Sequence, residues 1–309
     1  MKKIYIIISL FFILFSMTIY GQRIWNSSLG QYAFNPAGGG MSDIASISSS
    51  YYNTYGSANN SPYGFLLMGT SPFASDNIAA GFCLTTESGG VLNNTMAEGT
   101  FIYRVPILKN SKLSFGISAV YNQMSILRDR LNPQDPNDPI LNAATSGFWG
   151  DANFGVSLYE TNKYHIGLAV YNLLDGSTSW RVENENFTDR AARLYSFSGM
   201  YTFDVLKGEG KLEFNGIALS YLSEGSTSVN YDIDSRLIIK KLFWVGAGYE
   251  PKTVKFLFGV YFQNFSVGYE GGIGLGDITK YTYVVPQNEL FLKIDFNNSK
   301  ASRSQPSKI

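Results

Sequence analysis

Beyond residue 43, apolar and polar residues alternate with a period of two, and almost nothing has the 3.6-residue period of an amphipathic helix. Leu113, Phe115, Ile117, Ala119 and Tyr121 share one face, opposite Ser114, Gly116, Ser118 and Asn122. Phe243, Val245, Ala247 and Tyr249 repeat the pattern against Gly246 and Gly248. So do Tyr195, Phe197, Tyr201 and Phe203, and Phe256, Phe258, Val260 and Phe262. The chain is therefore read as all-β. A large apolar face with a small or polar reverse side has two solutions. In water it packs on a second sheet, and in a bilayer it faces lipid while the other face lines a lumen.

Connection lengths separate the two. Strands of about nine to eleven residues cross a bilayer when tilted. Read at that scale, the pattern gives about fourteen, near 44–52, 62–71, 78–86, 96–105, 112–122, 151–159, 164–174, 192–204, 210–221, 228–238, 242–250, 253–262, 265–271 and 288–296. Long connections at 53–61, 87–95, 123–150, 175–191 and 272–287 alternate with short ones, although 222–227 and 251–252 are short where the rule asks for length. This sorting predicts a transmembrane antiparallel β-barrel with periplasmic termini and long extracellular loops. A soluble sandwich or lectin has no reason to sort its loops. Tyr121, Tyr171, Tyr201 and Tyr249, near strand ends, are expected in the interfacial girdles.

The flanks read differently. Lys2 and Lys3, an apolar run from Ile4 to Phe15, polar residues and Gly21 have the order of a secretory signal peptide cut after Gly21; an uncleaved anchor is the alternative. Residues 22–43 are then an N-terminal periplasmic or lumenal segment, 44–296 the barrel, and 297–309 a polar tail expected to be disordered in the periplasm. The last strand alternates apolar residues and ends on Phe296, the form of a closing strand that assembly machinery recognises.

Composition narrows the chemistry. Twenty-four basic residues cancel twenty-four acidic ones, charged residues are 16 %, and aromatics reach 15 %. Nucleic acid is not an expected partner; outer-membrane lipid is. Cys83, the only cysteine, forms no internal disulfide, and with His165 as the only histidine the usual zinc and iron–sulfur sites are excluded. His165, near the start of a strand beside a short turn, is read as non-catalytic. Asp129, Asp135, Asn137, Asp138 and Asp151 offer oxygen ligands but lack calcium-loop spacing, so turn chemistry is the reading. Gly38–Gly40 reads as a flexible entry to the first strand and 271–276 as a loop or bulge. No catalytic residue, cofactor or metal is expected.

Several pieces in order resemble the PorP/SprF outer-membrane proteins of the Bacteroidetes type IX secretion and gliding machinery. Gln31-Tyr32-Ala33-Phe34-Asn35-Pro36-Ala37-Gly38-Gly39 is similar to the family's N-terminal pattern, and Tyr103-Arg104-Val105-Pro106-Ile107 with Lys112–Ser118 to its most regular stretch. Asp138-Pro139-Ile140-Leu141, Asp151–Val156, Tyr164–Val170 and Asn288–Leu292 resemble later segments. The Asn-Pro repeat is cut to one copy, and Ser50–Tyr55 replaces an expected Arg-x-Gln-Trp stretch. The resemblance implies a non-enzymatic component that supports secretion and surface anchoring of a cognate adhesin through its C-terminal sorting domain, with other type IX components as periplasmic partners.

The longest connection, 123–150, is the candidate partner surface, or else a lid over the barrel mouth. Arg128, Asp129, Arg130, Asp135 and Asp138 supply charge of both signs on a proline-stiffened segment, and Phe148 and Trp149 follow at its return to the membrane. A diffusion channel of porin or fatty-acid-transporter type shares every barrel feature. The inward faces of the clearest strands read mainly as Gly, Ser, Ala and Asn, which neither builds an ion filter nor excludes a neutral pore.

Overall fold

The computed structural model describes residues 29–54, 61–73, 75–131, 146–182, 185–223, 226–275 and 287–296. Residues 1–28, where the signal sequence is expected, residues 297–309, where the tail is expected, and residues 132–145, with Asp135, Asn137 and Asp138, lie outside them.

Sixteen strands occur in chain order among these residues. The first five are β1 (Ala45–Thr54), β2 (Tyr63–Phe73), β3 (Ser75–Gly89), β4 (Leu92–Pro106) and β5 (Ser111–Ile126). Next come β6 (Ser146–Glu160), β7 (Tyr164–Tyr171), β8 (Ser177–Val182), β9 (Glu185–Arg190), β10 (Arg193–Val205) and β11 (Gly210–Ser223). The last five are β12 (Ser226–Ile239), β13 (Phe243–Glu250), β14 (Thr253–Phe262), β15 (Phe265–Gly274) and β16 (Gln287–Phe296). Fourteen of them, all but β8 and β9, close into one antiparallel barrel. The seam joins β1 to β16, with Ala45 opposite Phe296 and Thr54 opposite Gln287. Closure leaves no free sheet edge, as a bilayer demands of a strand protein.

Side chains alternate across the wall as the sequence requires. Phe101, Ile117, Leu168, Phe197, Phe258 and Leu290 are among the large apolar residues exposed on the outside. Ser114, Ser118, Asn153, Ser157 and Ser198 are buried inside. This is the inverse of a soluble protein, with apolar side chains outside and polar ones within. Tyr121 and Tyr201 stand in the outer belt, but Tyr171 turns inward to line a cavity. Its reading as a girdle residue is corrected.

Both barrel termini and the connections 107–110, 161–163, 206–209, 240–242 and 263–264 share one end, here the turn end. The other is the loop end. Positive φ angles at Asn162, Lys207, Lys240 and Gln263 make the tight turns.

Two long connections shrink. β3 and β4 run on to Gly89 and Leu92, so the expected loop at 87–95 is a tight turn at Gly90 and Val91, with Gly90 at φ 58°. Polar residues between Thr85 and Asn94 gave no apolar alternation to follow, yet the backbone ladder continues. The 123–150 connection likewise narrows to 127–145, because β5 reaches Ile126 and β6 begins at Ser146. The 175–191 connection is not loop throughout, since β8 and β9 pair in it as a separate hairpin.

Candidate functional site: a plugged lumen

Residues 29–44, the described chain before β1, enter the barrel lumen. Two 3₁₀ turns, Gln31–Ala33 and Pro36–Met41, sit among inward-facing wall residues, and Asn35, Pro36, Ala37 and Gly38–Gly40 are buried. Gly38–Gly40 is therefore part of a packed plug rather than a flexible lead-in.

Asn35 fixes the plug. Its Oδ1 accepts from the Ala37 N–H at 2.8 Å, capping the second turn from outside as Asn does at helix starts. Its Nδ2 donates to the carbonyls of Val156 on β6 and Leu168 on β7, each at 3.1 Å. The amide thus places both donors and an acceptor on backbone groups, in a residue that is 0 % exposed.

The wall is built small to receive it. Gly116 of β5 and Gly155 of β6 face each other in register. A Cβ on Gly116 would stand 2.5 Å from the Ala37 nitrogen, and one on Gly167 of β7 would stand 2.6 Å from Asn35 Nδ2. A Cβ on Gly155 would meet Asn35 Oδ1. Three neighbouring strands therefore surrender side chains where the Asn-Pro-Ala wedge enters.

Other wall groups bind the plug backbone. Ser196 donates to the Phe34 carbonyl and Ser114 to that of Ala37, both at 2.9 Å. The Tyr159 hydroxyl donates to the Gly40 carbonyl at 2.6 Å. Arg104, almost fully buried, donates to the Gly40 and Ser42 carbonyls and pairs with Asp43 at 3.0 Å. The Tyr32 hydroxyl meets Thr100 at 2.7 Å.

Apolar contact completes the filling. Leu29, Tyr32 and Phe34 of the plug join one buried cluster with Leu66 and Met68 of β2, Leu219 of β11, Trp244 of β13 and Phe291 of β16. Trp244 and Phe291 stack with centroids 5.7 Å apart. The barrel has a hydrophobic core inside its lumen, which single-strand alternation did not announce.

The inward faces also carry charge, correcting the reading of them as mainly Gly, Ser, Ala and Asn. Lys255 of β14 pairs with Asp232 of β12 and, at 3.3 Å, with Glu270 of β15. Arg236 pairs with Glu213 and lies over the Trp244 ring. Glu98 accepts from Ser118 and Asn153 at 2.8 Å and from Thr100 at 3.0 Å. Buried charge survives in such a place when it is paired and hydrogen-bonded.

The plug separates two cavities. One of about 540 Å³ lies toward the turn end, bordered by Asp43, Thr161, Lys211 and Lys293. The other, about 210 Å³, lies toward the loop end, bordered by Phe34, Asn94, Trp149 and Tyr171. Tyr32 stands in both walls.

The β8–β9 hairpin packs against β6 at the loop end. Asp151 holds its approach, accepting from the Leu174 and Gly176 N–H groups at 2.9 Å, and Leu173 N–H bonds the Ala152 carbonyl. Thr178 is buried against Gly147. Asp151 is thus committed to backbone amides. His165 is buried at 3.1 Å from Ser157 Oγ, within the wall beside the plug.

Of the candidate partner residues, Arg128, Asp129 and Arg130 share one 3₁₀ turn at the loop end. Arg130 is tied to the β3–β4 turn through Ser88 Oγ at 3.1 Å and the Gly90 carbonyl at 3.2 Å, while Asp129 is exposed. Phe148 points outward, 70 % exposed and stacked on Tyr121, whereas Trp149 points into the lumen. These two neighbours belong to different surfaces. Sequence reasoning missed Asn35, Arg104 and the glycine seat as functional positions. Glycines on the inward faces of three consecutive central strands were the available signal.

Solved structures align with the chain at low identity. The chain aligns with a TodX deltaS2S3 mutant monoaromatic hydrocarbon channel at TM-score 0.53 and 7 % identity, covering 92 % of this chain and 96 % of that one. The Ralstonia pickettii toluene transporter TbuX matches at TM-score 0.48 and 9 % identity over 85 % and 92 % of the two chains. A Pseudomonas aeruginosa FadL homologue matches at 0.48 and 10 % over 85 % and 93 %. No curated protein matches by sequence. The family model for the type IX secretion system membrane protein PorP/SprF matches residues 28–286, from the start of the plug almost to the last strand. The chain belongs to that family and is an outer-membrane β-barrel component of the type IX secretion system.

Proposed function

We propose that this barrel holds and guides another protein rather than conducting solutes or catalysing a reaction. Its partner is read as a secreted surface adhesin bearing a C-terminal sorting domain, which the barrel helps to export and retain. The turn end and termini face the periplasm, where further type IX components bind, and the loop end faces the outside.

The observation that carries this reading is the plug. Asn35 binds two wall carbonyls, and Leu29, Tyr32 and Phe34 pack into a core shared with the wall. Mid-lumen volume is spent on a packed core and satisfied hydrogen bonds, an arrangement suited to rigidity rather than flux. A rigid barrel presents its loops in a fixed arrangement, which lowers the entropy lost when a partner docks. At the loop end, Arg128 and Asp129 on their 3₁₀ turn, the following segment with Asp135 and Asp138, and Phe148 form the proposed contact surface, with Arg130 bracing it and Trp149 supporting it from within.

Two measurements together test this. Deleting the barrel should release a surface adhesin bearing a C-terminal sorting domain into the medium, and the purified barrel in planar bilayers should show no steady conductance. A conducting barrel whose loss leaves the adhesin on the cell would establish the diffusion channel instead. Deleting 129–140 narrows the contact surface. Normal adhesin retention with a folded barrel would remove that segment from it.

A further inference from the structure

The loop-end cavity has the make-up of a ligand site. Its volume is about 210 Å³, and Tyr32, Phe34, Trp149 and Tyr171 surround it with aromatic surface, with Met96 and Leu219 adding aliphatic contact. Pockets for small molecules are mostly apolar with a few placed polar groups that fix orientation. Here two such groups are in place and unused. Asn94 Oδ1 and Trp149 Nε1 are buried without a hydrogen-bond partner.

Those two atoms differ in kind. The Asn94 carbonyl oxygen only accepts, and the indole N–H only donates. A buried polar group left unpaired is unfavourable, and each such group asks for an explanation. Neither follows from the plug, whose polar contacts are made by Asn35, Ser114, Tyr159 and Ser196. Both belong to the wall of the same cavity. Asn94 on β4 pairs with Met124 and Trp149 on β6 with Asn122, so across β5 their backbones stand about 12 Å apart at the usual strand spacing and rise. An aromatic molecule with a donor on one edge and an acceptor on the other offers each of these two groups the partner it lacks.

We infer that this chamber binds a small aromatic molecule that donates a hydrogen bond to Asn94 and accepts one from Trp149. The ring stacks among Phe34, Tyr171 and Tyr32. The β8–β9 hairpin is anchored nearby, with Thr178 seated against Gly147 of β6. The site faces the lumen rather than the loop surface and shares only Trp149 with the proposed adhesin contact, so the probe comparison on the unaltered chain tests it separately from adhesin retention.

The probe is 4-hydroxybenzamide, whose phenol donates and whose amide carbonyl accepts; toluene is its counterpart without either group. Calorimetry on the detergent-purified full chain should show one saturable site for 4-hydroxybenzamide and at least about tenfold weaker binding of toluene, the discrimination a site with buried hydrogen-bonding groups gives. Asn94→Leu and Trp149→Phe should each weaken the first probe about tenfold and leave toluene unchanged. Val120→Trp, which fills the chamber from β5, should abolish both, whereas Lys211→Ala in the turn-end cavity should change neither. Equal binding of the two probes, no saturable binding, or wild-type affinity in Asn94→Leu and Trp149→Phe would each overturn the assignment. The probe comparison needs no variant, so it stands even where a substitution fails to fold.

Discussion

Asn35 Nδ2 lies 3.1 Å from the Val156 carbonyl oxygen, across 121 residues of chain, and this bond joins the plug to the barrel wall. The same amide reaches Leu168 and caps Ala37, so one side chain ties β6, β7 and the second plug turn together. Asn35→Ala removes three hydrogen bonds and leaves the buried Ala37 N–H without its acceptor. An orphaned buried donor costs about 1–3 kcal/mol. The variant should assemble, unfold at lower temperature in the heat-modifiability gel assay, and expose Tyr32 and Phe34 to chymotrypsin. Unchanged protease resistance would show that the Asn35 contacts do not hold the plug.

The glycine seat makes a separate prediction. Gly155→Ala puts a methyl group against Asn35 Oδ1, whereas Gly216, on β11, has nothing within 4 Å of an added Cβ. Overpacking a filled interior typically costs about 1–3 kcal/mol. Gly155→Ala should therefore loosen the plug as Asn35→Ala does, and Gly216→Ala should be silent in both assays. Equal behaviour of the two would mean that the loss reflects strand glycine in general and not the seat.

How much of this could be read in the chain depends on which interactions are local. The strand at Leu113–Tyr121 declares itself, because alternation across a wall is a property of neighbouring residues. All fourteen wall strands were found near their observed places for that reason. Lys255 and Asp232 meet only after β13 is placed between their strands, and nothing near either residue foretells the pair. Asn35 stood within the family-like segment and was legible as a motif, yet its partners are backbone carbonyls, which leave no mark on sequence. The β8–β9 hairpin was overlooked because Ser177–Arg190 carries no apolar alternation. The glycines at 271 and 272 read as a loop but sit in β15, where they leave room for Phe256 and Thr253.

The Lys255 cluster should behave as a buried charge network. Lys255 and Asp232 are both about 1 % exposed, and Glu270 adds a second carboxylate to the same ammonium. Lys255→Met removes the cation and leaves acidic groups in the lumen wall without it. Breaking a buried pair from one side costs about 3–5 kcal/mol, while replacing both partners by apolar groups is often close to neutral. Lys255→Met should lower the unfolding temperature strongly, and Lys255→Met with Asp232→Leu should recover part of the loss. If the double variant is no better than the single one, the cluster is not acting through charge pairing.

The orientation of the barrel decides which partners can reach which cavity. Its two ends differ in construction. The described connections of the turn end are short, whereas the loop end carries the β8–β9 hairpin and the 3₁₀ turn at Arg128–Arg130. Outer-membrane barrels place short turns in the periplasm and longer loops outside. Lys207, in the 206–209 turn with φ 56°, and Thr188, exposed on β9, mark the two ends. The native Cys83 is buried, so it adds little background to thiol labelling. Lys207→Cys should react with a membrane-impermeant maleimide only after the outer membrane is opened, and Thr188→Cys should react on intact cells. The opposite result would turn the barrel over. It would move the Arg128–Asp129 surface to the periplasm, expose the 540 Å³ cavity to the outside, and remove the loop end as the place where an exported adhesin is held.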